Sequence, residues 1–349
     1  MKWIYVTGVA AAALSASMAF AADMDGMKKK GPEAPPPAKP LIAWPEPNFD
    51  VLGSGFDYAW GAKFASDYIS RGISQTAHGP SATAYGELRY GWFYAGVQPW
   101  NVRLPTSPLA ELDIYGGIRP SWGPLTLDFG VIYYDYSSNH QQWWLGGDSP
   151  VLPYRSGPVG AAIAPTTAFD PSYVEIYAKP SWAINDYVTL GGTFAYDPNW
   201  NNYGAHAFYS EGNLKLTPFP NTDYSGLSVS GAFGHYYLGM ANTSYGYSYV
   251  DPDYANYFGN GPAGVKGFKF ASYNTWNAGV SYNWNMVTFD VRYFDSNQSK
   301  AACYINSSDP AGNYLAAATA ATTLRSSSNW CGSRVMGSIS IDFTSATFK

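Results

Sequence analysis

From Phe56 onward, apolar and polar positions alternate with period two, in segments of about ten residues separated by turn residues. In the first segment Phe56, Tyr58, Trp60, Ala62 and Phe64 form one face, and Asp57, Ala59, Gly61, Lys63 and Ala65 form the other. The same rhythm returns over residues 82–89, 92–98, 110–119, 125–136, 173–182, 187–196, 206–217, 226–237, 273–283, 286–294 and 333–343. The pattern therefore predicts an all-β chain of about twelve strands. The joints also alternate. Residues 90–91, 120–124, 183–186, 218–225 and 284–285 make short turns, whereas residues 137–172, 238–272 and 295–332 make long connections. Short turns at one rim and long loops at the other, with an even strand count, predict a single transmembrane antiparallel β-barrel with short periplasmic turns and long extracellular loops.

Charge placement sharpens this expectation. With the apolar set facing lipid, the cations Lys63, Arg71, Arg89, Arg119, Lys179, Lys215, Arg292 and Arg334 take the opposite parity. So do the anions Asp67, Glu87, Glu111, Asp113, Asp128, Glu175, Glu211, Asp290 and Asp342. These seventeen are the candidate lumen-lining residues, and their near balance of eight cations to nine anions argues for an ion-paired interior with weak ion selectivity. An Arg or Lys on the lipid face at mid-membrane would cost about 2–4 kcal/mol, so the segregation is what a bilayer demands. Tyr and Trp near strand ends, including Tyr90, Trp92, Tyr133, Tyr134, Trp182, Tyr187, Tyr236, Tyr237 and Trp284, are expected to form the interfacial girdles.

Composition agrees with that class. Of 349 residues, 17% are aromatic and only 13% charged, and 36 Gly and 25 Pro disfavour long helices. After the first 22 residues no apolar run approaches the roughly 18 needed for a spanning helix. The formal charge of −5 gives no basis for nucleic-acid binding.

The chain ends divide from the strands. Lys2, the small and apolar stretch that follows and Ala19-Phe20-Ala21 have the form of a cleaved export signal, placed at residues 1–21. Residues 22–55 carry Lys28-Lys29-Lys30 and then Pro32, Pro35, Pro36, Pro37, Pro40, Pro45 and Pro47, which predicts a Pro-rich periplasmic tether. The barrel spans 56–343, and residues 344–349 are a short tail. Cys303 and Cys331 are the only cysteines, and in an exported chain they are expected to pair as one disulfide. Within that loop the Ala-rich run 314–324 is expected to form a short helix.

Ser66-Asp67-Tyr68-Ile69-Ser70-Arg71-Gly72-Ile73-Ser74-Gln75 resembles the first-strand signature of the TorF family of porins from Gram-negative bacteria. Further matches are Trp92-Phe93-Tyr94-Ala95-Gly96, Asn101-Val102, Glu111-Leu112-Asp113-Ile114-Tyr115-Gly116-Gly117 and residues 130–137, so that the resemblance runs from Trp60 to Phe343. Ser70 departs from the family, whose members often carry an aromatic there. The last segment resembles the closing strand of bacterial outer-membrane barrels, with residues 344–349 added beyond Phe343. The resemblance implies an outer-membrane location more firmly than a solute. Read as a strand, the signature places Asp67 and Arg71 on one face about 13 Å apart, so each must pair across strands.

Twelve strands predict a narrow passage for small solutes or ions, with outer-membrane lipid as the surrounding partner. The competing reading is a non-conducting structural or surface-binding barrel. A hydrolase would need a base beside a nucleophile, and the four histidines, His78, His140, His206 and His235, do not supply one. His235 has only Phe233 and Tyr237 as same-face neighbours. No catalytic, cofactor or metal site is expected.

Overall fold

The computed structural model describes residues 55–104, 108–136, 171–202, 204–241, 268–307, 309, 313–316 and 323–345. Residues 1–54, most of connections 137–172 and 238–272, His140 and residues 346–349 lie outside the described residues, so the export signal, most of the tether and the tail do too.

Twelve long strands make the wall. They are β1 (Phe56–Ala65), β2 (Ser81–Tyr90), β3 (Phe93–Trp100), β4 (Glu111–Ile118), β5 (Leu125–Asp135) and β6 (Tyr173–Ala183). Then follow β7 (Val188–Trp200), β8 (Ala205–Leu216), β9 (Leu227–Leu238), β10 (Tyr273–Trp284), β11 (Val287–Ser296) and β12 (Arg334–Thr344). Each pairs antiparallel with its sequence neighbour, and β12 returns to β1, with Trp60 opposite Phe343 and Lys63 opposite Ser340. The sheet is closed and has no free edge, which removes the unpaired backbone that a sheet edge would expose. At the seam the rings of Trp60 and Phe343 stack at 4.1 Å.

Turn chemistry explains the short-turn rim. Gly91 (φ 59°) turns β2 into β3, and Asn285 (φ 55°) turns β10 into β11. Gly and Asn tolerate the left-handed backbone that tight hairpins require. Asn185 caps the β6–β7 turn by accepting from the amides of Tyr187 and Val188 at 2.9 Å.

The two faces are reversed relative to a water-soluble domain. Phe233, Val291 and Val335 point outward at 58%, 60% and 64% exposure, while inward Tyr134 and Glu175 are 0% and 1% exposed. The inner wall also changes along its length. Inward residues at the long-loop end, such as Trp100, Glu111, Tyr173, Trp200 and Leu238, are buried. Inward residues nearer the short turns, such as Lys63, Arg89, Thr189, Lys215 and Ser281, are half-buried.

Three local expectations change. The signature does not continue β1, which ends at Ala65. Residues after it turn into the barrel and form a minute hairpin, Ile69–Ser70 against Ile73–Ser74, because Arg71 (φ 45°) and Gly72 (φ 80°) make a two-residue turn that no strand could carry. The helix lies at Lys300–Ser307 (α1), ahead of the Ala-rich run: Ser299 caps it, its Oγ accepting from the amide of Ala302 at 3.1 Å. The run expected to be helical instead contributes to a hairpin, Asn313–Ala316 against Thr323–Ser326. Finally, Tyr134 and Tyr236 are not girdle residues. They face inward and are fully buried, and only their neighbours Tyr133 and Tyr237 face out.

Cys303 and Cys331 form the expected disulfide, which ties α1 to the start of β12.

Candidate functional site

The first long-end connection, residues 66–80, folds into the barrel and fills its long-loop end. Its neck is tied by Asp67, which accepts from Ser74 Oγ at 2.6 Å and Thr76 Oγ1 at 2.8 Å, with His78 Nδ1 at 3.2 Å and Arg334 Nε at 3.7 Å. The amide of Gln75 donates to the Tyr68 carbonyl at 2.7 Å. These short-range bonds give partners to backbone that leaves the sheet, which lets the main chain of the segment be buried. Neighbouring connections hold it from both sides, as the amide of Ser74 donates to the Trp330 carbonyl at 2.9 Å and the amide of Arg103 to the Gln75 carbonyl at 2.8 Å.

From this neck two side chains reach the wall. Tyr68 stacks on Trp100 of β3 at 4.1 Å, and its hydroxyl donates to Glu111 of β4 at 2.7 Å. Burial, reinforced by Glu111 and Asp113, pushes the Tyr68 phenol well above its ordinary value, so it stays a donor. Arg71 crosses to the far wall. Its Nη2 lies 2.7 and 3.0 Å from the two oxygens of Glu175 on β6, and its guanidinium sits 4.6 and 4.5 Å from the ring centres of Tyr209 on β8 and Tyr236 on β9. Burial opposes the Arg71 charge, but Glu175 and the surrounding tyrosines more than offset it, so the group is held well above its usual value and remains a cation. Tyr134 completes the carboxylate's shell by donating to Glu175 at 3.1 Å. Gly72 rests against Thr275 of β10, where any Cβ would meet Oγ1 at 2.6 Å. Ligated at both ends, the hairpin is a strut across the interior.

Toward the short turns the remaining charges are paired along the wall. Arg119 bridges Glu87 and Asp128 at 3.0 Å each, with its guanidinium over the Tyr94 ring at 4.1 Å. Tyr94 also donates to Asp128 and meets the Tyr177 hydroxyl, and Lys179 lies over the Tyr177 ring at 4.1 Å. Arg89 pairs with Glu87, and nearer the long loops Asp113 accepts from Trp100 Nε1 at 3.2 Å. Arg292 reaches Asp290 at 3.0 Å and Asn277 and Ser230 at 2.7 Å. Asp342 accepts from Tyr85 at 2.9 Å and Glu211 from Tyr209 at 2.7 Å. Lys63 lies within electrostatic reach of Asp290, Arg292 and Asp342, and Lys215 is half-buried on β8.

Thus Arg71 and Glu175, far apart in the sequence, meet directly, whereas Asp67 and Arg71 serve different ends of one hairpin. Sequence parity groups the charges but misses the tyrosines that hold them, Tyr68, Tyr94, Tyr134, Tyr177, Tyr209 and Tyr236. Their parity was available: Tyr209 lies two residues before Glu211, on the same face. Of the histidines in described segments, His78 braces the neck, His206 packs on Tyr237, and His235 meets Asn274 Oδ1 at 2.7 Å. Among the described residues no three His, Cys, Asp or Glu side chains are grouped to hold a metal.

No curated protein matches the chain. Solved structures with a similar chain path include the KdgM porin in complex with disordered oligogalacturonate, at 8% identity and a TM-score of 0.39 over 82% of this chain and 99% of that one. The NanC porin gives 10% identity and 0.35 over 83% and 98%. The Ralstonia pickettii toluene transporter TbuX gives 10% and 0.32 over 83% and 90%. Residues 52–150, which include the whole inserted hairpin, match a family described as a bacterial protein of unknown function, Gcw_chp.

Proposed function

We propose that this chain is an outer-membrane porin-like barrel that gives narrow passive passage to small solutes or ions, with residues 66–80 as its constriction. The observation that carries the reading is the two-zone interior. A polar, half-buried inner wall occupies the short-turn end, and among the described residues the inward-folded connection 66–80 packs into the long-loop end. Such a segment narrows a lumen without altering the wall, because its anchors are side chains and loop amides rather than the ladder bonds of the sheet.

The membrane location draws support from the closed sheet and from the apolar outward face, since a bilayer offers no partner for an unpaired strand edge or an outward charge. Residues 1–21 then serve as the export signal, 22–55 as the Pro-rich periplasmic tether and 344–349 as the tail. Short turns face the periplasm. The seventeen charged positions line or brace the lumen, and no chemistry is assigned to them. The resemblance of residues 66–75 to the TorF porins fits this role.

The test is planar-bilayer conductance of the refolded, heat-modifiable protein beside a variant in which residues 69–74 are replaced by Gly and Ser. Small, weakly selective openings that enlarge in the variant are expected. Silence from both folded proteins would overturn the reading and leave a structural or surface-binding barrel.

A further inference from the structure

The tip of the inserted hairpin holds more binding chemistry than closure needs. Only Nη2 of Arg71 has a hydrogen-bonded partner, while its buried Nε and Nη1 have none, and its guanidinium carbon lies over the rings of Tyr209 and Tyr236. The Tyr236 hydroxyl is also without a partner. The chamber therefore presents two aromatic rings and one carboxylate to one cation. A structural staple of this depth would engage the planar fork of the guanidinium, whose five N–H donors suit bidentate pairing. Here one nitrogen serves both oxygens of Glu175, and the rest of the ion lies in a corner of two rings set at 86° to one another, as a cationic ligand lies in an aromatic cage.

The geometry points to an organic-cation subsite formed by Tyr209, Tyr236 and Glu175, in which the Arg71 side chain is a tethered occupant. A solute carrying a guanidinium or alkylammonium group takes the same place, displaces Arg71 and frees the hairpin tip. This rests on the passage reading for its physiological use, but the cage itself is testable without current flow. Selection follows from chemistry: a flat or alkylated, weakly hydrated cation gains from the ring faces, whereas sodium keeps its water.

Arg71→Ala empties the cage and leaves the buried Glu175 carboxylate without its cation. We expect this variant to lose heat-modification midpoint in detergent, and millimolar methylguanidinium chloride to restore most of the loss. Sodium chloride at equal ionic strength should restore little, and the added Glu175→Gln change should abolish the methylguanidinium response. Arg71→Gln, neutral and of similar reach, is the second variant and should respond in the same direction. Equal responses to methylguanidinium and sodium would overturn the subsite. Failure of both single variants to form a heat-modifiable barrel would also overturn it, because Arg71 would then be a structural staple. A barrel that responds to methylguanidinium but never conducts keeps the subsite and removes the passage, and a conducting barrel without the response does the reverse.

Discussion

Replacing Gly72 by Ala tests whether the hairpin is wedged against the wall. Gly72 has φ 80°, a region that costs an L-residue about 1–2 kcal/mol. The added Cβ would also lie 2.6 Å from Thr275 Oγ1 and 3.2 Å from the Cβ atoms of Thr275 and Ser296, and overpacking of this kind costs about 1–3 kcal/mol. Together the two terms come to about 2–5 kcal/mol, or at least about a 30-fold rise in the population with the tip undocked. Amide hydrogen exchange read by mass spectrometry on residues 69–75 should show that loss of protection while β1 and β2 keep theirs. Adding Thr275→Ala removes the nearest atom and should recover part of the steric cost, leaving the 3.2 Å contacts and about 1–2 kcal/mol from the backbone. Gly337→Ala is the control, since its Cβ would meet no atom within 4 Å. Wild-type exchange rates over residues 69–75 in the Gly72→Ala protein would refute the wedge.

Glu175→Gln leaves the Arg71 charge buried without its partner, a loss of about 3–5 kcal/mol that should appear as a lower heat-modification midpoint and larger bilayer openings. An unchanged midpoint would show that the pair is not holding the hairpin. Replacing Cys303 and Cys331 by Ser removes about 3–4 kcal/mol of loop constraint across a separation of 28 residues. The barrel should stay folded while protease cuts between α1 and β12, and an uncut loop would count against the disulfide as its tether. Val291→Arg on the outward face of β11 should destabilise the protein in lipid vesicles by about 2–4 kcal/mol in denaturant titration, and no effect would mean that this face does not meet lipid. Tyr68→Phe removes the donor to buried Glu111 and should cost about 1–3 kcal/mol in denaturant titration; an unchanged midpoint would refute the hydrogen bond.

The architecture was largely legible in the chain because strand patterning is local. Period-two alternation located all twelve wall strands to within a few residues at each end, and turn residues such as Gly91 and Asn285 separated them. The same rule misled at the signature. Ile69-Ser70 and Ile73-Ser74 alternate well enough to extend β1, but the positive φ at Arg71 and Gly72 bends the chain instead. The Ala-rich run misled by propensity: Ser299 supplied a cap earlier in the chain, and hairpin pairing claimed residues 313–316 and 323–326. Tyr134 and Tyr236 were read by position near strand ends, where parity would have turned them inward.

What the sequence alone determined about this protein is which residues face each other's class, apolar outward and charged inward, because backbone geometry sends alternate side chains to opposite faces. It also determined the strand count and the partner of Cys303, a choice of one. The tertiary structure decided which distant residues meet. Arg71 and Glu175 are separated by 104 positions, and only closure of β12 on β1 brings the connection between β1 and β2 within reach of β6, β8 and β9. That pairing depends on ring closure and on the inward turn of one hairpin, and neither leaves a periodic trace in the chain.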